Sequence, residues 1–243
     1  MENVYLITGA TSDVGCALIR RLYRPGDIFI AQGCGDLAQL APLAAEYPGA
    51  IHTYDVNLAD PDNVTTFIQL VQRLHGAPTH FVHLPALRVV NTKFRNFDED
   101  RFMLDFNLQV RSAIALCKAF VPAMAKAKYG RVLFMLTSYL LGFPPKNTAA
   151  YITAKSALGG LAKSLAADYA ASGVTVNCVA PYMMETKFLA DTSDLIVQMS
   201  AQANPMKRNA RVEDVVPAMA FLLSEEARFI TGVTLPITGG AAL

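Results

Sequence analysis

The chain has 243 residues, of which 53% are hydrophobic and 17% charged. That balance fills a large core and excludes intrinsic disorder, and the length suits one α/β domain spanning residues 1–243. Twenty-one Lys and Arg against twenty Asp and Glu leave a net charge of +1, so no strong surface field draws nucleic acid or anionic lipid.

The uncharged run 132–145 holds Thr137, Ser138 and two prolines and is too short to cross a bilayer, so no membrane span is expected. The start Met1-Glu2-Asn3-Val4 lacks the basic stretch of a secretory leader, and Thr8-Gly9 interrupts the apolar run that follows, which points to a cytoplasmic protein. The four cysteines, Cys16, Cys34, Cys117 and Cys178, form no CxxC pair, so they read as reduced, packed thiols rather than a zinc or redox site.

β-type runs at 4–8, 28–31, 51–54, 81–84, 131–136, 175–179 and 233–237 alternate with helix-type runs at 15–23, 37–45, 62–74, 102–126, 149–171 and 212–223. This alternation predicts a Rossmann-type, doubly wound parallel sheet of about seven strands with helices on both faces. No linker, repeat or charge block divides it. Residues 180–211 carry no clear strand, and such a stretch in a compact domain reads as a functional loop.

The first strand runs into Thr8-Gly9-Ala10-Thr11-Ser12-Asp13-Val14-Gly15 and then a helix. In a doubly wound sheet this is where a dinucleotide pyrophosphate rests on a helix N-terminus, although an ordinary strand-to-helix turn capped by Ser12 or Asp13 has the same look. After the second strand come Gln32 and Gly33, where an acid would favour NAD and an arginine NADP; neither is present. Asp55-Val56 follows the third strand, so the carboxylate either accepts from an adenine amino group or caps the next helix. His83 ends strand four, at a place for either an adenosine contact or a structural histidine. Ser138 follows strand five, Tyr151 comes 13 residues later and Lys155 four beyond that. Four residues make about one helical turn, so phenol and ammonium share a face. One ammonium about 4 Å away supplies roughly the 4 kcal/mol needed to bring a phenol from pKa ~10 to ~7.

With Phe106-Asn107-Leu108, Tyr151-Ile152-Thr153-Ala154-Lys155, Asn177-Cys178-Val179-Ala180-Pro181, Ile230-Thr231-Gly232 and Gly239-Gly240, these motifs resemble the short-chain dehydrogenase/reductase family over the whole length. The likeness is greatest to bacterial 3-oxoacyl-[acyl-carrier-protein] reductases. The resemblance implies an NAD(P)(H)-dependent oxidoreductase that reduces a carbonyl to an alcohol. Its tetrad would be Tyr151 as proton donor, Ser138 on the substrate oxygen, Lys155 on the ribose and Asn107 anchoring a relay water. Cofactor contacts would fall at Gly9, Thr11, Ser12, Asp13, Val14, Gly15, Gln32, Gly33, Asp55, Val56, His83, Pro85, Tyr151, Lys155, Pro181, Met184 and Thr186, with NADP(H) favoured over NAD(H) and no metal. Tyr139, Leu140, Met183, Phe188 and Leu189 would line a substrate lid at about 182–210, suited to a 3-oxoacyl thioester or similar lipophilic ketone. Lys126, Lys128 and Arg131 would offer cations to a carrier protein, and the 149–171 helix a homodimer or homotetramer face. A reductase of another ketone (polyketide, steroid-like or cyclic) and a non-catalytic nucleotide-binding scaffold subunit are the alternatives. Three cleft positions depart from the family: Asp13 for a glycine, His83-Leu84-Pro85-Ala86 for Asn-Asn-Ala-Gly, and Tyr182 for a glycine after Pro181.

Overall fold

The computed structural model describes residues 3–241. Seven parallel strands form one sheet: β1 (Val4–Thr8), β2 (Ile28–Gly33), β3 (Ile51–Asp55), β4 (His80–His83), β5 (Gly130–Met135), β6 (Val174–Pro181) and β7 (Thr234–Ile237). They lie in the order β3-β2-β1-β4-β5-β6-β7. The strand order reverses between β1 and β4, and a crevice opens there at the carboxyl ends of the strands.

The helices in chain order are α1 (Asp13–Leu22), α2 (Ala41–Glu46), α3 (Pro61–His75), α4 (Glu99–Phe106), α5 (Ser112–Lys126), α6 (Ala149–Tyr169), α7 (Asp194–Ala203) and α8 (Val212–Leu223). Side chains alternate across each strand, so neighbouring residues serve opposite layers. Leu6, Ile30, Phe81, Phe134 and Val176 bury against Phe67, Leu116, Phe120 and Leu158 of α3, α5 and α6. Ile7, Phe29, Val82, Leu133 and Val179 bury against Leu18, Ile19, Leu43, Val215 and Met219 of α1, α2 and α8. All residues of β4 and β6 are buried, as expected for central strands of a parallel sheet covered on both faces.

Local chemistry sets the helix ends. The Ser12 side chain accepts from Gly15 N to cap α1, with Asp13 in the first turn and Arg20 and Arg21 in the last, each complementing the helix dipole. Asp60 caps α3 by accepting from the N–H groups of Asp62 and Asn63, Pro61 opens it, and Gly76, at φ 74°, ends it.

Two elements differ from the sequence expectation. The helix expected at 102–126 begins at Glu99, capped by Asp98, and widens into a π-helical turn at Asn107–Arg111 before continuing as α5. The expected loop at 180–211 contains α7, whose apolar residues Leu195, Ile196 and Met199 are exposed and which buries none of its residues. One helical run, Glu99–Lys126, is long and apolar enough to cross a membrane by length and composition alone; half of its apolar window is buried. Leu116, Phe120 and Val121 place it as a helix of this core. The four cysteines are free, Cys117 and Cys178 buried.

Candidate active site

A cleft of about 370 Å³ opens above the carboxyl ends of β1, β4, β5 and β6. Its floor holds Tyr151 and Lys155 from the first two turns of α6 beside Met135, Leu136 and Thr137 at the end of β5. One wall is the loop entering α1, with Thr11, Ser12, Asp13 and Val14. The facing wall is Pro181, Met183, Met184, Thr186, Phe188 and Leu189 of the segment between β6 and α7, and Tyr139 closes a corner.

Lys155 is 2% exposed, and its Nζ donates to the Met135 carbonyl at 2.7 Å. One of its three N–H groups is thereby used and the others face a cleft. Burial lowers its pKa to about 8, with the Asp105 carboxylate pulling the other way. Tyr151 is raised well above the ordinary phenol value, first by desolvation, while a hydrogen bond from the Thr137 side chain draws it back. The expected down-tuning by Lys155 is thus absent from the protein alone. The ammonium sits 5.8 Å from the centroid of the phenol ring and is itself desolvated, so burial outweighs the attraction.

Asp105, which the sequence reading missed, is buried behind this pair. It accepts from Leu87 N at 2.9 Å and from Gln109 Nε2 at 2.8 Å, holding the segment after β4 against the π-helical turn. No local pattern marks it, because its partners are brought by the fold.

Asn107 opens the π-helical turn but does not line the cleft. Such turns concentrate at functional positions because the extra residue re-aims side chains. Ser138 begins a 3₁₀ turn, Ser138–Leu140, and faces a neighbouring hollow with Gly142, Phe143, Pro145 and Thr238. Leu140 packs against the α5–α6 core instead of the cleft.

At the adenosine end the predicted residues are committed to the fold. Gln32 is buried; its Oε1 accepts from Gly9 N at 3.0 Å, and its Nε2 donates to the carbonyls of Gly33 and Val56, each at 2.7 Å. It ties the first loop to β2 and β3 and leaves no donor for a ribose. Asp55 Oδ1 accepts from Gly35 N at 2.8 Å. Gly33 lies so close to Thr11 and Leu37 that a Cβ there would meet their side chains at 2.5 and 2.6 Å. His83 is wholly buried: its Nε2 donates to the Gln109 carbonyl at 2.9 Å, so its Nδ1 is the acceptor for the Thr8 hydroxyl at 2.8 Å. A carbonyl can only accept, which fixes that tautomer, and burial lowers the imidazole pKa to about 3.

The residues present fit a nicotinamide dinucleotide at its phosphate and nicotinamide-ribose end. Gly9, at φ 69°, brings the loop so close to Pro85 that a Cβ would meet its nitrogen at 3.0 Å, and a Cβ on Gly15 would meet the Ala10 carbonyl oxygen at 2.6 Å. Neither position has room for a side chain. Helix geometry leaves the N–H groups of the first turn, at Asp13 and Val14, without carbonyl partners, and both residues line the cleft. Asp13 directs its Oδ2 across the cleft to accept from Lys187 N at 2.9 Å.

One expected surface cation is not on the surface. Arg131 is 3% exposed, pairs with Glu225 at 3.0 Å, donates to the carbonyls of Gly130 and Gly173 and lies over the Tyr129 ring. Its position inside β5 buries it, whatever its charge suggests.

A doubly wound sheet with a glycine loop at the switch point and a Tyr–Lys pair beneath it defines an NAD(P)-dependent oxidoreductase. A family profile described as "Enoyl-(Acyl carrier protein) reductase" matches residues 9–242. The 3-oxoacyl-[acyl-carrier-protein] reductase FabG of Escherichia coli is 31% identical over 241 residues, 98% of this chain and 96% of that protein. Nodulation protein G of a Rhizobium species is 28% identical over 98% of this chain and 96% of its own. The chain belongs to the short-chain dehydrogenase/reductase family. Levodione reductase superposes with a TM-score of 0.90 at 22% identity, covering 98% of this chain and 96% of that one. A candidate NAD(P)-dependent gluconate 5-dehydrogenase from Beutenbergia cavernae with bound NADP gives 0.90 at 25% identity over the same shares.

Proposed function

We propose that the chain reduces a ketone to a secondary alcohol with NADPH, and that the ketone is a 3-oxoacyl thioester. The observation that carries this reading is the buried Tyr151–Lys155 pair at the floor of a cleft whose far wall is apolar. When bound, the reduced nicotinamide supplies a hydride to the carbonyl carbon. Tyr151 gives its proton to the carbonyl oxygen, while Lys155 holds the ribose hydroxyls and, once they shield it from the apolar floor, favours the tyrosinate left behind. The N–H groups of Asp13 and Val14 take the phosphates. Met183, Met184, Phe188 and Leu189, within a lid at about 182–210, cover the acyl chain and exclude water. The relatives that carry the 3-oxoacyl name support the choice of thioester, and the coenzyme preference rests on the same likeness, since Gln32 and Gly33 at the end of β2 carry no charge that selects either form.

A second reading is a free lipophilic or cyclic ketone. The burial of Arg131 favours it, because only Lys126 and Lys128 remain of the cations meant for a carrier protein. We also propose that two copies pair through α5 and α6, where Ile114 is exposed and Gly160 stands open.

The test is coenzyme oxidation with NADPH and NADH over a panel of 3-oxoacyl thioesters, carrier-bound and free, and cyclic diketones. The expected result is turnover of thioesters, with Tyr151→Phe slowed by about 10² or more and still binding coenzyme. Turnover of diketones alone selects the second reading, and coenzyme binding with no turnover of any carbonyl leaves a scaffold subunit.

A further inference from the structure

We propose that the Tyr182 side chain sets the length of the substrate: while it stands, the cleft takes a short 3-oxoacyl chain and turns away a long one. This rests on the 3-oxoacyl thioester reading above. Beside the cleft of about 370 Å³ two further hollows open, one of about 400 Å³ and one of about 190 Å³. Among the described residues only Tyr182 lines all three. Its phenol stands between them at a position where the family usually has glycine, and so no side chain at all. The side chain is held at both ends. Tyr182 N donates to the Ile237 carbonyl at 3.0 Å, which fixes the backbone beside β7, and its Oη donates to the Ser200 carbonyl of α7 at 3.4 Å, a long bond that sets direction more than it binds. Tyrosine has only two side-chain torsions to order, so it makes a stiff wall.

Volume decides why the wall matters. A pocket for one drug-sized ligand measures about 300 to 1,000 Å³, and this cleft, near the bottom of that range, has to take the nicotinamide and its ribose as well as the ketone. The thioester arm has to leave through the cleft mouth, which sends the acyl end inward, so a long chain needs a second space. The larger hollow is a poor one: Asn204, Asn209 and the Arg208–Asp214 ion pair line it, and methylenes there would strip water from polar groups without bonding them. The smaller hollow has Tyr139, Gly142, Phe143 and Pro145 for walls and suits an acyl chain. Tyr139 and Tyr182 are the two residues it shares with the cleft, and they form the partition. Ser138 faces this hollow while Tyr151 and Lys155 face the cleft, so a carbonyl oxygen within reach of both Ser138 and Tyr151 lies at that partition.

Chain length tests the assignment. With pantetheine thioesters from 3-oxobutanoyl to 3-oxododecanoyl, kcat/KM of the wild type should fall about tenfold or more from the shortest to the longest. Tyr182→Ala should raise the longest-to-shortest ratio by about tenfold or more. Tyr182→Leu, which refills part of the space, should lie between the two. Tyr182→Phe keeps the ring and loses the bond to Ser200, and it should keep the wild-type profile. An unchanged ratio in Tyr182→Ala overturns the proposal; should that variant not fold, an unchanged ratio in Tyr182→Leu does the same. A Phe variant that admits long chains as the Ala variant does overturns it too, since the bond to α7 and not the bulk of the ring would then set the length. If the wild type reduces no 3-oxoacyl thioester, the thioester reading falls and the role of Tyr182 with it; if the wild type reduces the longest as readily as the shortest, the proposal alone falls.

Discussion

Lys155 is a lysine that the fold keeps at a cost. Its pKa falls from the ordinary value to about 8 because its ammonium is buried with a single carbonyl partner. Between about pH 8 and 10.5 the unfolded chain therefore binds a proton that the folded chain does not, so stability rises with pH across that window. At neutral pH the depressed value costs roughly 3 kcal/mol, relieved as pH climbs. Denaturant melts of wild type and Lys155→Met from pH 7 to 10 should show a rising difference in favour of the wild type, and parallel curves would mean the ammonium is solvated. At this scale the sequence reading was partial. Helical spacing brought Tyr151 and Lys155 together in advance, since it depends only on residues one turn apart. It could not show that Gln32 spends its amide on Gly9, Gly33 and Val56, or that Arg131 lies inside the sheet, because those partners are set by strand register.

At the scale of elements, strands and most helices were legible because burial on one or both faces leaves a period in the chain. The π-helical turn was not, as the widened turn keeps the same apolar residues facing the core; α7 was not, since its apolar residues Leu195, Ile196 and Met199 are exposed. The turn is held by His83, which replaces the family's usual residue at the end of β4 and joins the Thr8 hydroxyl to the Gln109 carbonyl. Two hydrogen bonds inside the core link β1, β4 and the helix that carries Asn107. His83→Leu removes both bonds and leaves the Thr8 hydroxyl only the Val82 carbonyl at 3.3 Å, which should cost about 1 kcal/mol or more, read as a lower denaturation midpoint at unchanged slope. The pH dependence has a definite sign. The folded pKa of about 3 lies below the unfolded value, so this histidine's contribution is full above about pH 6.5 and is lost as pH falls through 3. A variant as acid-sensitive as the wild type between those values would show that His83 is not the neutral bridge described.

The whole molecule is clasped across its cleft at two places. Asp13 Oδ2 accepts from Lys187 N, and Arg88 at the cleft mouth pairs with Asp191 at 2.8 Å; each bond joins a loop at the strand ends to the segment between β6 and α7. The Arg88–Asp191 pair is exposed on both sides and holds little by itself. Asp13 matters more because it sits in the first turn of α1, where the dinucleotide phosphates are proposed to bind. Its carboxylate does two opposing things there: it anchors the lid through one hydrogen bond, and it adds a negative charge beside an anion. Two unit charges about 8 Å apart at an effective dielectric near 20 repel by roughly 2 kcal/mol, more than an exposed hydrogen bond contributes. Asp13→Asn keeps an oxygen for Lys187 N and removes the charge, so it should tighten dinucleotide binding several-fold, by an amount that shrinks as salt screens the repulsion. Asp13→Gly removes both and should tighten binding less, because part of the gain goes into ordering a lid that has lost its anchor. Calorimetric titration at two ionic strengths reads the affinities, and hydrogen exchange at the Lys187 amide reads the lid, with protection kept in Asp13→Asn and lost in Asp13→Gly. Weaker binding by Asp13→Asn would mean that the negative charge itself holds the lid in its working position, and the repulsion would then be the smaller effect.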